Sequence, residues 1–278
     1  MDDPFSVPGE PLVVEAGDGY LVARKPAGMH CAGSGPTLCA WMADRYPGQA
    51  GVRGRAPGEG GLLHRLDGET CGLVLFAADQ EAFVALSAAA AGGGFVKAYL
   101  AHAVVRDGMP DAGMAGSRPA SIAPNGIERE RWRLALVRTD APAIADMLVG
   151  STVSSRFRPY GPGARRVACL AVDGGRSEGR AARKRSTADA YSTEIPGAMP
   201  YGTGIVALAR LSRGFRHQVR AHFAWLGLPL AGDGTYGTTG GRLGLRAIGL
   251  SFPHPRTGAT VVVDELPGLD LDLPSWRR

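Results

Sequence analysis

Short runs of apolar residues, many with a period of two, dominate the chain and predict a fold rich in β-strands. Most runs are bounded by Gly, Pro, Asn, Asp or Ser, which favour turns. The run at 72–77 is continuously apolar, so we expect that strand to be buried on both faces. The predicted strands are residues 11–15, 19–24, 62–67, 72–77, 95–105, 187–195, 204–212, 243–252 and 259–264.

Three segments have the pattern of helices instead. Thr37 is a suitable N-cap for a helix that runs to about Tyr46, and the Ala-rich run 80–91 ends at three glycines. Residues 216–225 place apolar residues at helical spacing. Strands dominate and no regular βαβ alternation appears. The pattern predicts an α+β fold, a single domain over 1–278 with a mixed, largely antiparallel sheet flanked by helices and loops.

Two segments, 106–128 and 156–185, lack this periodicity and are predicted as loop insertions. The second holds nine basic and two acidic residues, a net charge of +7, whereas the rest of the chain carries −2. Of the 31 basic residues, 28 are Arg. Because guanidinium pairs with phosphate in a bidentate manner, this concentration of Arg favours a nucleic-acid partner. A solvated basic loop is the alternative that charge alone leaves open.

Composition argues against several classes of protein. The longest uncharged apolar stretch, 82–96, is too short to span a membrane, and the acidic start of the chain is unlike a secretory signal. We therefore expect a cytoplasmic protein. The four cysteines are scattered, and His217 and His222 would lie on different sides of a helix, so we expect no metal site.

Three short motifs carry little weight. Residues 232–237 match the glycine pattern of dinucleotide-binding loops, but the flanking strand and helix are missing, so a Gly-rich turn is predicted. Residues 175–179 match the nucleophile elbow of serine hydrolases, with Ser177 as nucleophile, inside the most charged segment. We keep a serine hydrolase as a minor alternative. No lysine is followed by Ser or Thr, which excludes a Walker A loop.

Asp67 has the most informative surroundings in the sequence. In an extended backbone Arg65 and Asp67 point to one face, while His64 and Leu66 point to the other. Asp67 then meets Gly68 at a turn directly before the apolar strand. A carboxylate at the rim of a buried sheet is costly to desolvate and needs a partner. A turn-capping Asp beside a surface Arg is the structural alternative.

Two other segments present polar groups beside apolar surface. Lys97 and Tyr99 share one face of a predicted strand. Arg216 and Arg220 are i, i+4 neighbours on one side of a predicted helix. Together, Asp67, Tyr99 and Arg220 would supply a nucleophile or base, a phenol that handles a proton, and a cation that keeps the Asp ionised.

The string His-Arg-Leu-Asp-x-x-Thr-x-Gly-Leu that begins at His64 resembles the signature of the RluA family of RNA pseudouridine synthases. Further blocks resemble the family's other motifs in the same order, between about residues 22 and 258. The stretch 106–200 matches poorly. These blocks are Lys25–Gly28, Lys97–Tyr99, His217–Arg220, Gly227–Asp233 and Phe252–Pro255.

The resemblance implies an enzyme of the pseudouridine synthase fold that converts uridine in RNA to pseudouridine without a cofactor or a metal ion. It favours ribosomal RNA over transfer RNA as the substrate. By motif position, Asp67 would be the nucleophile and general acid or base, Tyr99 would stack on the uracil and handle a proton, and Arg220 would pair with Asp67. Arg65 would fill the gap left by the flipped base. A monomer is expected, and an inactive RNA-binding protein is the alternative. Other expected RNA contacts are His64, Lys97, Arg216, His217, Arg156, Arg158, Arg165 and Arg166.

Two positions depart from the family's pattern. Cys71 stands where Ser is common, a nearly isosteric change. Phe215 stands where Arg is common, which removes a cation that the adjacent Arg216 would replace. The first matching block begins near residue 11, so we expect no appended S4-type RNA-binding domain. The Arg-rich segment 156–185 would bind RNA in place of such a domain.

Overall fold

The computed structural model describes residues 3–7, 9–105, 123–172, 186–237 and 240–265. These residues form two compact units. The first comprises the described residues up to Tyr99 and from Leu245 to Glu265, and the second comprises those from Leu100 to Gly244. No helix in the described ranges is long and apolar enough to cross a membrane.

Ten strands and six α-helices account for the regular structure of the described residues, and a short 3₁₀ turn spans Pro162–Ala164. The helices are α1 (Leu38–Arg45), α2 (Pro47–Ala50), α3 (Gln80–Ala91), α4 (Arg129–Val137), α5 (Ala141–Leu148) and α6 (Gln218–Trp225). The strands are β1 (Leu12–Gly17), β2 (Tyr20–Lys25), β3 (Cys71–Ala77), β4 (Val96–Val104), β5 (Ser151–Tyr160), β6 (Arg166–Leu170), β7 (Tyr191–Tyr201), β8 (Gly204–Leu211), β9 (Leu245–Pro253) and β10 (Thr260–Asp264). The predicted α+β class with a mixed sheet is confirmed.

In the first unit, β1, β2, β3, β9 and β10 are neighbours in that order. All neighbouring pairs are antiparallel except β3 and β9, which are parallel. Gly72 makes the parallel pair possible: its φ is +118°, and a Cβ there would lie 2.0 Å from the carbonyl oxygen of Ala247. Every residue of β3 is buried, as the continuous apolar run predicted. Leu73, Leu75, Phe83 and Leu86 form part of its core, each contributing about 1.5–3 kcal/mol by burial.

In the second unit, the strand order is β8, β7, β5, β6, with antiparallel pairs throughout. Buried and partly exposed residues alternate along β5, so that Val153, Ser155 and Phe157 face the core while Arg156 and Arg158 face outward. Strand β4 contains the point at which the chain passes from the first unit to the second.

The structure differs from the sequence prediction in several places. Residues 156–160 and 166–170 are strands rather than loop, because Arg156 and Arg158 occupy partly exposed positions of β5 that alternate with the buried Ser155 and Phe157. Helices α4 and α5 were not predicted. Residues 62–67 pair with β3 only at a single bridge from Leu62 to Phe76. The predicted loop residues 106–122 and 173–185, with Ser177, lie outside the described residues.

Candidate active site

Asp67 is the last residue of the segment 61–67, which forms backbone hydrogen bonds with β3 through Gly61 and Leu63. Leu63 donates a backbone hydrogen bond to Leu75 (3.0 Å), and Ala77 donates one to Gly61 (2.7 Å). The chain then turns, and the N–H of Thr70 donates to the carbonyl of Asp67 (3.1 Å). Asp67 is half-buried at this turn. Its carboxylate is therefore placed by the same backbone bonds that fix the edge of the buried strand.

Lys25 fixes the other side of this turn. The side chain is fully buried, and its Nζ donates to the carbonyls of Pro26 (2.9 Å), Met29 (2.7 Å) and Gly68 (3.2 Å). Burial lowers the pKa of Lys25. Because Gly68 directly follows Asp67, Lys25 ties the Asp67 turn to the end of β2. The sequence analysis noticed Lys25–Gly28 as a motif but assigned Lys25 no role.

Gly68 has a close side-chain neighbour at this turn. A Cβ at this position would lie only 3.0 Å from the His30 ring. The N–H of Gly28 donates to the Gly68 carbonyl over 2.8 Å, which adds a backbone bond to that of Lys25. Glycine thus allows the turn to pack tightly beneath Asp67.

Tyr99 lies near Asp67 in the first unit. It is buried on β4, and burial together with the Asp67 carboxylate raises its pKa. At neutral pH Tyr99 is therefore a neutral phenol that can donate a proton or a hydrogen bond. Two of the three predicted catalytic residues are within electrostatic range of each other.

His64 and Lys97 are two of the predicted RNA contacts, and both belong to the first unit. The N–H of Leu75 donates to His64 Nε2 (3.2 Å), and burial lowers the pKa of His64 to about 3, so the ring is neutral at neutral pH. Burial and the nearby Arg55 lower the pKa of Lys97 to about 8. His64 thus holds β3 through its ring, and its predicted contact with RNA stays a prediction.

Arg65 extends away from this packing. Its side chain is 61% exposed and lies 3.5 Å from the carboxylate of Glu59. The predicted insertion of Arg65 into an RNA stack stays a prediction. The ion pair with Glu59 is the contact it would exchange for that insertion.

Arg220, the third predicted catalytic residue, is buried on α6 in the second unit. Its Nε and Nη2 donate to the two carboxylate oxygens of Asp233 at 2.8 and 2.7 Å. Nη2 also donates to Thr235 Oγ1 (3.1 Å), and Asp233 accepts the backbone N–H groups of Thr235 and Tyr236. Asp233 therefore fixes the direction of the Arg220 guanidinium.

Helix α6 begins later than the sequence predicted. His217 adopts a left-handed backbone conformation, with φ of +56°, and α6 starts only at Gln218. Consequently Arg216 is exposed and donates to the carbonyl of Ala164, whereas Arg220 is buried. The prediction that Arg216 and Arg220 share one side of a helix is wrong, because the positive φ at His217 interrupts the helical spacing.

Tyr236 is a residue of this region that the sequence analysis missed. It lies in the turn 232–237, which the glycine pattern correctly predicted as a turn. Its buried hydroxyl is 3.0 Å from His217 Nδ1 and accepts the N–H of Val167 (2.9 Å). The Arg220 guanidinium carbon lies 5.7 Å from the ring centre. Tyr236 therefore connects the strained His217 to β6.

The hairpin formed by β5, the 3₁₀ turn and β6, here called the basic hairpin (residues 151–170), carries four of the predicted RNA contacts. The Arg158 guanidinium lies 5.8 Å from the Tyr160 ring centre, and Tyr160 is opposite Arg166 in the β5–β6 register. Among the described residues, none of these four arginines forms an ion pair with a carboxylate. The four are Arg156, Arg158, Arg165 and Arg166.

Cysteine and histidine form no recognisable metal site in the described ranges, where no group of three or more His, Cys, Asp or Glu side chains could hold an ion. The four cysteines are buried and unbridged. Burial raises the pKa of Cys39 and of Cys169 to about 12, so both are neutral thiols at neutral pH.

Comparison with known proteins gives consistent matches. The sequence model of a family described as RNA pseudouridylate synthase matches residues 19–225. A stretch of 48 residues is 48% identical to RNA pseudouridine synthase 2, chloroplastic, of Oryza sativa subsp. japonica, and covers 17% of this chain and 9% of that protein.

Two solved human structures share the fold. Human RNA Pseudouridylate Synthase Domain Containing 1 matches with a TM-score of 0.57 at 19% identity, over 92% of this chain and 83% of that one. Human RNA Pseudouridylate Synthase Domain Containing 4 matches with a TM-score of 0.57 at 17% identity, over 92% of this chain and 88% of that one.

Proposed function

Since the chain belongs to the RNA pseudouridylate synthase family, a family of isomerases, we propose that it converts uridine in RNA to pseudouridine with Asp67 as its catalytic carboxylate. The observation that supports this most strongly is the placement of Asp67. It lies on a turn held by β3 and by the buried Lys25, within electrostatic range of the neutral phenol of Tyr99. We propose further that the chain is of the RluA type, and the order of its motifs supports this.

The proposed reaction breaks the bond between N1 of uracil and C1′ of ribose and forms a bond between C5 and C1′. The C5 proton is lost and N1 gains a proton, so the step needs no oxidant and no second substrate. Asp67 acts as nucleophile and as general acid and base. The target uridine has to leave the RNA stack first, because its reacting atoms are inaccessible in a stacked helix.

The other site residues have separate proposed roles. Tyr99, kept protonated by burial and by Asp67, stacks on the uracil and hands over a proton. Arg220, by its motif position, is proposed as the cation that pairs with the Asp67 carboxylate, and its own guanidinium is held by the ion pair with Asp233. Arg65 occupies the gap in the stack, in keeping with its exposure.

RNA is held in this proposal by arginine, lysine and histidine side chains outside the reacting centre, with His64 contributing a neutral ring. The basic hairpin supplies guanidinium groups that form no ion pair with a carboxylate among the described residues. Further proposed RNA contacts lie in or next to the sequence motifs, and these are His64, Lys97, Arg216 and His217. Bidentate pairing with phosphate makes such groups effective on an RNA backbone. We propose ribosomal RNA as the first candidate substrate and transfer RNA as the second. We also propose that the protein acts as a monomer and in the cytoplasm.

Release of tritium from RNA transcribed with [5-³H]uridine tests the reaction directly, because only formation of the C5–C1′ bond expels the C5 hydrogen. Wild type is expected to release tritium, Asp67→Asn to release none, and Glu69→Gln to behave as wild type. Glu69 is the matched control because it is an exposed carboxylate in the same turn. RNA binding without tritium release by wild type would favour a non-catalytic RNA-binding protein instead.

A further inference from the structure

Three rings in the second unit form a stack that runs outward from its core. His222 is fully buried, with Nε2 2.9 Å from Ser155 Oγ and Nδ1 2.8 Å from Thr193 Oγ1. Its ring centre is 5.1 Å from that of Phe157 at 26°, and Phe157 is 5.0 Å from Phe215 at 3°. His222, Phe157 and Phe215 are called the aromatic ladder below.

Only the outer end of the ladder reaches the surface. His222 and Phe157 are fully buried, whereas Phe215 is partly exposed. Parallel, offset rings at this spacing are a favourable arrangement, and a further planar ring can extend it. The ladder therefore ends in a phenyl ring that two buried rings already hold in a stacking orientation.

The backbone at Phe215 is fixed to the start of α6. The N–H of Phe215 donates to Gln218 Oε1 (2.9 Å), and the side-chain amide of Gln218 donates to the carbonyl of Ser192 (2.9 Å) and to Thr193 Oγ1 (3.2 Å). Gln218 is buried, so this connection is shielded from water. Phe215 loses little freedom on binding a ligand, because its position is set beforehand.

Two exposed arginines, Arg213 and Arg216, flank Phe215 in the chain. The Arg213 guanidinium is paired with Asp189 (3.0 Å), and its carbon lies 5.2 Å from the ring centre of Tyr191. The Tyr191 ring is itself 5.2 Å from Phe215 at 54°. A partly exposed ring with arginines next to it in the chain is typical of surfaces that bind single-stranded nucleic acid, where the ring stacks on a base and the cations bind phosphate.

We propose that Phe215 stacks on an unpaired base of the substrate RNA, within a few nucleotides of the target uridine. The inference rests on the proposed function, because it takes RNA as the ligand and Arg220, five residues further along the chain, as part of the active site. It makes Phe215 a residue that contacts substrate and selects where RNA can bind. At this position, where Arg is common in the motif that the sequence resembles, this chain has an aromatic side chain instead.

The test uses the RNA fragment that carries the uridine converted by wild type, with a single abasic site at each of the three positions on either side. For wild type, one abasic position is expected to raise KM about tenfold, the order of magnitude of one base–aromatic stack. Phe215→Leu keeps an apolar side chain without a ring. It is expected to raise KM on intact RNA about equally, with kcat little changed, and to show no further rise at that abasic position. Phe215→Tyr is expected to behave as wild type.

Two results would overturn the inference. Equal KM values for wild type and Phe215→Leu on intact RNA would show that the ring binds nothing, and so would an abasic profile that is the same in both. A second measurement needs no variant: 2-aminopurine at the sensitive position is expected to lose fluorescence when wild type binds, and unchanged fluorescence contradicts stacking. Failure of wild type to convert any uridine is a different outcome, which would overturn the proposed function as well.

Discussion

Arg220 and Asp233 form a buried bidentate ion pair, with Nε and Nη2 of the arginine 2.8 and 2.7 Å from the two carboxylate oxygens. Both side chains are almost fully shielded from solvent. Asp233 also accepts two backbone N–H groups, so its charge is satisfied by four donors. Such a pair orients a guanidinium rigidly, at the cost of taking two charges out of water.

Removal of Asp233 should therefore be far more damaging than removal of an exposed ion pair. We expect Asp233→Ala to lower the free energy of unfolding by about 3–5 kcal/mol, because the buried Arg220 guanidinium would lose the carboxylate that its Nε and Nη2 both bind. Glu130→Ala breaks the exposed pair with Arg133, which has the same N–O distance of 2.7 Å, and should leave the free energy of unfolding nearly unchanged, because water screens that pair. Urea denaturation of the two variants measures both values, and equal losses would contradict this account of the pair.

Lys25→Met should affect both stability and turnover. The carbonyls of Pro26, Met29 and Gly68 would lose their common donor, and we expect the free energy of unfolding to fall by about 2–3 kcal/mol. Because Gly68 follows Asp67, kcat should fall more than KM changes. Arg53→Met, at an exposed position, is the control and should leave both quantities unchanged. A Lys25→Met variant with wild-type kcat would show that the turn does not depend on Lys25.

Neutralising the four arginines of the basic hairpin to Gln should weaken RNA binding and flatten its dependence on salt. For every phosphate that the variant no longer neutralises, the slope of log K against log [salt] is expected to fall by about 0.7–0.9. The matched control removes the same charge from exposed positions around α4, where Glu128 and Glu130 are interspersed. Those control positions are Arg129, Arg131, Arg133 and Arg138. Equal loss of affinity in both variants would point to net charge rather than to the hairpin.

Stability should fall in mild acid, partly because of His222. Burial lowers the pKa of His222 to about 3, against about 6.5 in an unfolded chain. Between these values the unfolded state binds the proton and the folded state does not, so stability is lost as the pH falls. One such histidine contributes a slope of about 1.4 kcal/mol per pH unit. Denaturation between pH 7 and 4.5 should show a shallower slope for His222→Gln, and an unchanged slope would contradict a neutral, buried ring.

Local pattern was sufficient to predict much of the framework. Thr37 caps α1 through its side chain, and β3 is buried on both faces, as the sequence indicated. Asp67 and Tyr99 were singled out from the alternation of side chains in an extended backbone, and their predicted roles came from the family resemblance. Such features depend on residues close together in the chain, where spacing alone carries the information.

Features that depend on distant partners or on unusual backbone angles were missed. The left-handed conformation of His217 has no sign in its residue type, so the helix was started too early at Arg216. Lys25 acquires its role only through carbonyls that folding brings around it, one of them 43 residues away. The alternation of Arg156 and Arg158 with Ser155 and Phe157 was a readable strand signal that the high charge concealed.

A pseudouridine map of ribosomal and transfer RNA from cells lacking this gene, complemented with wild type or with Asp67→Asn, tests the central claim most directly. We expect wild type to restore pseudouridine at one or a few positions and Asp67→Asn to restore none, with both proteins present at equal levels. That result would identify the reaction, the catalytic carboxylate and the RNA together. Restoration by Asp67→Asn, or no restored position with wild type, would contradict the account.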